Sequence, residues 1–239
     1  MKIKINNFEF EVEQDFNFWN KIENWEQYSF KILDTFLNEK NTLVDVGAWN
    51  GVLSLYGSKL CAKVHSFEPD TCAFKKCKNN IELNKIDNIE LFNVGCSDTF
   101  GSQELFIRHE GDSTSSLIDR TMKGYESNSS NKISIIKLSE TLLLFREKGE
   151  EIGLIKMDIE GGEIYVLEEM REYIKKYKPN MFVSFHPNWF PDKDNQINRI
   201  VEQMDEIYNI FDYNFKPCTK EMFRAGLNNT THNFIFTKK

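Results

Sequence analysis

From residue 42 onward the chain alternates short apolar runs with longer stretches in which apolar residues recur every three or four positions. Thr42 to Val46 and Val64 to Phe67 are apolar, β-branched runs, the first closed by Gly47 and the second by Glu68-Pro69. Both predict strands buried on two faces. Between them Gly51 to Cys61 has helix length, Asp70 to Leu83 predicts a second helix, and Ile89 to Val94 a third strand. The rhythm then lapses. Gln103 to Ile107 and Ile133 to Leu138 are strand-like and Glu110 to Ser116 is turn-rich, so 99–138 reads as an inserted hairpin or lid. It resumes with a strand over Leu154 to Ile159, a helix striped by Ile164, Leu167, Met170, Ile174 and Tyr177, and a strand over Met181 to Phe185. Asp194 to Tyr208 predicts a further helix. Asn209 to Phe215 and Asn233 to Thr237 predict strands joined by a connection too short for a crossover helix, and therefore antiparallel.

Upstream, Phe18, Ile22, Trp25, Phe30, Leu33 and Leu37 recur at helical spacing, with Asn41 as a stop. The chain thus divides into an N-terminal extension with a helix, 1–41, and one α/β domain, 42–239, carrying the 99–138 insert. Its 239 residues, 40% hydrophobic and 28% charged, suffice for a core without disulfide or metal staples. A net charge of −7 argues against a partner held by its phosphate backbone. Five cysteines without a CxxC pair predict reduced thiols and a cytoplasmic location, and no apolar run is long enough to span a membrane.

The chemistry gathers at the strand ends. Asp45-Val46-Gly47-Ala48-Trp49-Asn50-Gly51 runs from a strand into a turn that opens a helix, where glycines let backbone approach a ligand. Its glycines lie four apart with an acid two residues ahead, a pattern suited to an ammonium and a carboxylate rather than a pyrophosphate. Glu68 closes the next strand, placed to accept from both hydroxyls of a ribose. Ser97 and Asp98 follow the third strand, where an acid or backbone group meets an adenine, although Asp98 serves equally as a turn residue or cap. Asp158 and Glu160 stand at the end of the fourth strand before Gly161-Gly162, with Glu160 and Glu163 also readable as helix-start acids. Lys156 shares a strand face with Asp158 and suits a structural ion pair. His186 ends the fifth strand.

In order, the Asp45 to Gly51 turn, Phe67-Glu68-Pro69, Asn79-Asn80-Ile81 with Asn84, Val94 to Asp98, Ile155 to Glu163 and His186-Pro187 resemble the FkbM-type S-adenosylmethionine-dependent methyltransferases, over about Thr42 to Phe236. The resemblance implies a Rossmann-like class I methyltransferase fold, with a mostly parallel seven-stranded sheet and an antiparallel C-terminal strand. It implies S-adenosyl-L-methionine as cofactor, held by Asp45, Gly47, Ala48, Trp49, Asn50, Gly51, Glu68, Ser97, Asp98 and Asp158. It also implies methyl transfer to a hydroxyl of a sugar, glycan or related metabolite, including a nucleotide-linked sugar. The chain departs from the family at Ser139-Glu140, where a Leu-Asp is more usual, and in Phe182-Val183-Ser184-Phe185, which lacks the usual acid before the histidine.

A hydroxyl that attacks a methyl group must lose its proton, and a neutral imidazole near its ordinary pKa can take it. His186 is therefore the expected base, with Asp158 and Glu160 as its catalytic neighbours. No metal is expected, although the same three side chains suit a divalent cation. Two other readings stand beside this one: methylation of a nucleic-acid base, disfavoured by Asp158-Ile159-Glu160-Gly161 and the charge, and a non-catalytic nucleotide-binding or assembly subunit.

Overall fold

The structure is a computed structural model that describes residues 1–14, 18–109, 111, 113–121, 127–228 and 232–239. Glu110 and Asp112 of the turn-rich segment lie outside the described residues. The chain begins with an antiparallel hairpin, β1 (Lys2–Ile5) and β2 (Phe8–Glu11), followed by a 3-10 helix over Trp19–Asn24 and helix α1 (Gln27–Phe36). The single helix expected from Phe18 to Leu37 is thus two pieces. The break falls at Glu26, whose φ of 31° is left-handed and ends one helical path before the next begins. The hairpin's own signal is the alternation of Ile3, Ile5, Phe8 and Phe10.

In chain order the main domain then runs β3 (Thr42–Val46), α2 (Val52–Gly57), β4 (Lys63–Phe67), α3 (Thr71–Leu83) and β5 (Ile89–Phe92). Next come β6 (Gly95–Cys96), β7 (Gly101–Ile107) and β8 (Ser129–Ile136), which form a separate three-stranded sheet in the order β6-β8-β7. The third strand therefore ends at Phe92 rather than Val94, and Gly95–Cys96 pairs with the insert. Then follow α4 (Leu138–Glu147), β9 (Ile152–Met157), α5 (Glu163–Glu169), α6 (Arg171–Tyr177) and β10 (Met181–Phe185). A 3-10 turn over Pro187–Trp189 leads into α7 (Lys193–Ile207), β11 (Tyr208–Asp212), β12 (Pro217–Cys218), α8 (Lys220–Leu227) and β13 (His232–Lys238).

The large sheet has the order β12-β11-β13-β10-β9-β3-β4-β5, with β3, β4, β5, β9 and β10 parallel and β13 antiparallel to both neighbours. The expected seven strands are all present, and the two-residue β12 adds an eighth at the edge. Helix α8 occupies the connection expected to be too short for one. Thr219 caps it by accepting from the Met222 N–H. Helix α4 is likewise additional: Leu138, read as the end of a strand, is its first residue and packs inward with Leu142 and Phe145.

The strands alternate their side chains between two cores. Leu43, Val64, Leu154 and Phe182 pack with Phe30 and Leu33 of α1, Leu55 of α2 and the hairpin's Ile5 and Phe10. Val44, Ile155, Met157 and Val183 pack with α4, α5, α6 and α7 on the other face. Among the described residues no helix is long and apolar enough to cross a membrane. The chain leaves β3 toward β4 and β5 on one side and takes up β9 and β10 on the other. The carboxyl ends of β3 and β9 therefore flank the crevice where such a sheet reverses its winding.

Candidate active site

At that crevice β3 and β9 come as close as glycine allows. Asp158 N–H donates to the Val46 carbonyl at 3.0 Å, and a Cβ on Gly47, whose φ is +83°, would stand 1.9 Å from the Asp158 carbonyl oxygen. The Gly47 and Ala48 N–H groups both donate to the Phe67 carbonyl, which ties the turn to β4. Trp49 has a left-handed φ of 50° and turns its own N–H onto Glu68 Oε2 at 2.7 Å.

Beneath the turn lies a buried ion pair. Lys156 Nζ is 3.1 Å from Asp45 Oδ1 and donates to the Gly47 carbonyl at 2.6 Å, while Ser54 Oγ donates to Asp45 Oδ2 at 2.6 Å. Burial favours the neutral amine, but the carboxylates of Asp45, Asp158 and Glu26 outweigh it and hold Lys156 above its ordinary pKa. Asp45 thus shapes the turn through Lys156 and Ser54. Asn50 is also turned in: it is buried, and its carbonyl accepts from Asn80 Nδ2. Gly51 opens α2 at a φ of 89° against Cys77.

Glu68 closes β4 and is buried, with Oε2 on the Trp49 N–H and Oε1 on the Asp70 N–H at 2.8 Å. Burial pushes its carboxyl up to about 7, against the lowering effect of those two donors. Each oxygen keeps a second lone pair. It lines a narrow cavity of about 50 Å³ with Gly47, Phe67, Gly95, Cys96 and Asp158, over which Leu105, Ser113, Ser115 and Leu117 of the insert close. Ser97 and Asp98, expected at an adenine here, line a different depression with Gln103, Phe106 and Tyr165. Because Gly95–Cys96 pairs with β8, the chain has already left the main sheet, and it is Cys96 that faces the cavity.

At the end of β9 the strand stops at Met157, so Asp158, Ile159 and Glu160 form the loop ahead of α5. Glu160 and Gly161 have φ values of 55° and 103°, which fold the loop back over Glu163. Glu163 is fully buried and accepts from the Ile159 and Gly161 N–H groups and, at 3.1 Å, from His186 Nδ1. His186 Nε2 faces Asp158 Oδ1 at 3.7 Å and Glu160 Oε1 at 3.5 Å. The other oxygen of Glu160 is paired with Arg120 at 3.0 Å, and Arg120 lies over the Trp189 ring. Burial, the largest influence on His186, disfavours its charged form. The charges of Glu163, Asp158 and Glu160 and the Glu163 hydrogen bond nevertheless raise it to about 10. Those charges favour the imidazolium over the neutral imidazole expected of a base.

A second cavity, of about 300 Å³, shares Gly47, Trp49, Ser113, Asp158 and Glu160 with the first and continues to Ala48, Lys156 and His186. Its far wall is Phe18, Trp25, Glu26, Phe182, Ser184 and Asn233. Burial and the nearby Asp158 raise the Glu26 carboxyl above its ordinary pKa. The extension residues in this wall, Arg120 and Glu163 are groups that the sequence did not mark as part of the site. Phe18 and Trp25 read as members of a helical stripe and Glu163 as a helix-start acid.

The model of the methyltransferase FkbM domain family matches residues 45–217. Over 62 residues, 26% of this chain and 20% of the relative, the sequence is 40% identical to a ribosomal protein L11 methyltransferase of Acetivibrio thermocellus. The chain thus spans about a fifth of the length of that curated relative. Among solved structures it is similar to a methyltransferase FkbM from Methylobacillus flagellatus KT, at TM-score 0.52 and 15% identity, covering 94% of this chain and 48% of that one. It is also similar to an rRNA methylase from Streptococcus thermophilus, at TM-score 0.51 and 14% identity, covering 89% and 95%. At such identities the two structures support the Rossmann-like fold alone. With the family match running from Asp45 to Pro217 and taking in the strand ends that border both cavities, the chain belongs to the FkbM methyltransferase domain family, whose cofactor is S-adenosylmethionine.

Proposed function

We propose that this protein methylates a hydroxyl group of a sugar-like small molecule, free, nucleotide-linked or within a glycan, using S-adenosylmethionine. The observation that carries the reading is the junction of two cavities at Gly47, Trp49, Asp158 and Glu160, with the acid–imidazole cluster at that junction. The residues fit the cofactor. Glu68 offers a buried carboxyl with spare lone pairs to a ribose diol, and the Gly47 to Trp49 backbone lines the passage from the first cavity to the second. Asp45 lines the larger cavity beside Lys156, and Ser54, Asn50 and Gly51 help hold that turn in shape. When bound, the cofactor supplies an electrophilic methyl carbon on a positively charged sulfur.

The chain's own contribution is orientation and proton management. Trp49 and Asp158 border both cavities and so set the approach between them. His186, cationic between three carboxylates, holds Asp158 and Glu160 in place. One of their oxygens, rather than imidazole nitrogen, takes the proton released by the attacking hydroxyl. Aromatic faces of Phe18, Trp25 and Trp49 beside Glu26, Ser184 and Asn233 suit a ligand with apolar C–H faces and hydroxyl edges.

The names of the relatives put ribosomal protein and RNA acceptors in view, but a net charge of −7 gives no basis for phosphate-backbone affinity. Mass spectrometry of reactions containing S-adenosylmethionine and a panel of nucleotide sugars, oligosaccharides, ribosomal protein and RNA tests the reading. A sugar product heavier by one CH2 is expected. Turnover confined to RNA or protein overturns it.

A further inference from the structure

We propose that Asp158, Glu160 and His186 form a binding site for a hard divalent cation of the Mg²⁺ or Mn²⁺ type. The proposal deepens the reading above, because the ion would lie where the two cavities join. One oxygen from each carboxylate and one nitrogen from His186 all lie within 4.8 Å of one another. Nε2 stands 3.7 Å from Asp158 Oδ1 and 3.5 Å from Glu160 Oε1, beyond good hydrogen-bonding distance of either. Neighbouring ligands of an ion held at about 2.1–2.4 Å lie roughly 3.0–3.4 Å apart, so the two imidazole–carboxylate separations need shorten by no more than about 0.7 Å.

The surroundings fit the same reading. His186 is 8% exposed, and Glu163, fully buried behind it, takes the hydrogen on Nδ1. A cation binding there displaces the proton on Nε2, and because Glu163 holds the hydrogen on Nδ1 the freed Nε2 electron pair points toward the two carboxylates, as where a histidine with an outer carboxylate ligates a metal. Glu163 is itself anchored by the Ile159 and Gly161 N–H groups, so it fixes the imidazole independently of any ion. Arg120 occupies the remaining oxygen of Glu160 and leaves Oε1 as a single, oriented ligand. With His186 neutral, the carboxylates of Asp158, Glu160 and Glu163 are opposed in this cluster by the Arg120 guanidinium, and a divalent ion balances the remaining negative charge. Two carboxylates and one imidazole with no thiolate favour a hard or borderline ion. The unfilled coordination positions would face the larger cavity, where an acceptor hydroxyl bound to the ion becomes more acidic.

The test is titration of the metal-stripped full chain with Mn²⁺, following the loss of the free-ion electron paramagnetic resonance signal. S-adenosylhomocysteine binding to the same preparation is measured by calorimetry without metal. Saturable uptake of one Mn²⁺ per chain is expected, weakened at least about tenfold in Asp158→Asn and in His186→Asn. Glu163→Gln, which touches no ion, should weaken it by about 10–100-fold by releasing the imidazole. Thermal unfolding of each variant separates lost ligands from lost fold. If wild type takes up no Mn²⁺ while S-adenosylhomocysteine binds, the cation site is wrong and the methyltransferase reading stands. If Mn²⁺ binds and S-adenosylhomocysteine does not, the reverse holds. Mn²⁺ uptake unchanged in folded Asp158→Asn and His186→Asn also overturns the site.

Discussion

Glu68→Gln probes the ribose end of the cleft through its pH dependence. Glu68 is 6% exposed, and its burial raises the carboxyl to about 7 despite the Trp49 and Asp70 donors. Ribose hydroxyls donate best to the ionised form, so affinity for S-adenosylhomocysteine should climb as pH rises through about 7 and level off above it. One unit below that midpoint roughly a tenth of the molecules carry the charge, which corresponds to about tenfold weaker binding, or ~1.4 kcal/mol. In Glu68→Gln a single carbonyl oxygen faces two backbone donors, so one N–H is stranded at a cost of about 1–3 kcal/mol in stability. The pH slope in affinity should vanish with the carboxyl. The sign for folding is opposite. A carboxyl whose folded pKa lies above the unfolded value of about 4.3 binds more protons folded than unfolded, so its contribution to stability declines between about pH 4.3 and 7. Calorimetry across that range and into mild base, paired with urea unfolding, reads both effects. A flat wild-type affinity profile, or an unchanged slope in the mutant, refutes the assignment.

Two further substitutions test the frame of the site. Gly47→Val puts a Cβ 1.9 Å from the Asp158 carbonyl at a φ of +83°, so the collision is with the protein itself; we expect a loss above ~3 kcal/mol in urea unfolding, and near-normal stability would show that the turn relaxes freely. Asp45→Asn leaves the Lys156 ammonium buried with its principal partner removed and should cost about 3–5 kcal/mol, whereas Asp45→Asn with Lys156→Met should recover part of that loss in thermal unfolding. Strictly additive losses would mean that the pair is not coupled.

The parallel strands were legible as short, mostly apolar runs, β3 closed by a glycine, β4 and β9 by an acid and β10 by His186-Pro187. Asp158 and His186 could be placed together because they follow neighbouring strands of one sheet. What stayed hidden depends on backbone paths that composition does not encode. Glu163 reads as an acid at a helix start; only the left-handed turns at Glu160 and Gly161 bring the loop back over it and put His186 on its oxygen. Ser97 and Asp98 sit at the right distance along the chain for an adenine contact, but Gly95–Cys96 pairs with the insert and the two residues line a separate depression. Trp25 and Glu26 vanish into a helical stripe because a 3-10 turn followed by one left-handed residue preserves the apolar spacing while breaking the helix. The charge state of His186 was hidden for a different reason: it is set by three carboxylates, and Glu163 among them was read only as a cap.

The wall of the larger cavity is stitched from two kinds of sequence. Gly47, Asp158 and His186 lie inside the stretch shared with the family, whereas Phe18, Trp25, Glu26 and Asn233 lie outside residues 45–217. Whatever enters that cavity meets groups on both sides of this boundary. Substitutions in the extension can therefore retune ligand choice without disturbing the strand ends, so two proteins that match the family equally well can differ in what they accept. Exchanging residues 1–41 between relatives would then carry Phe18, Trp25 and Glu26 across together while Asn233 stayed with the domain.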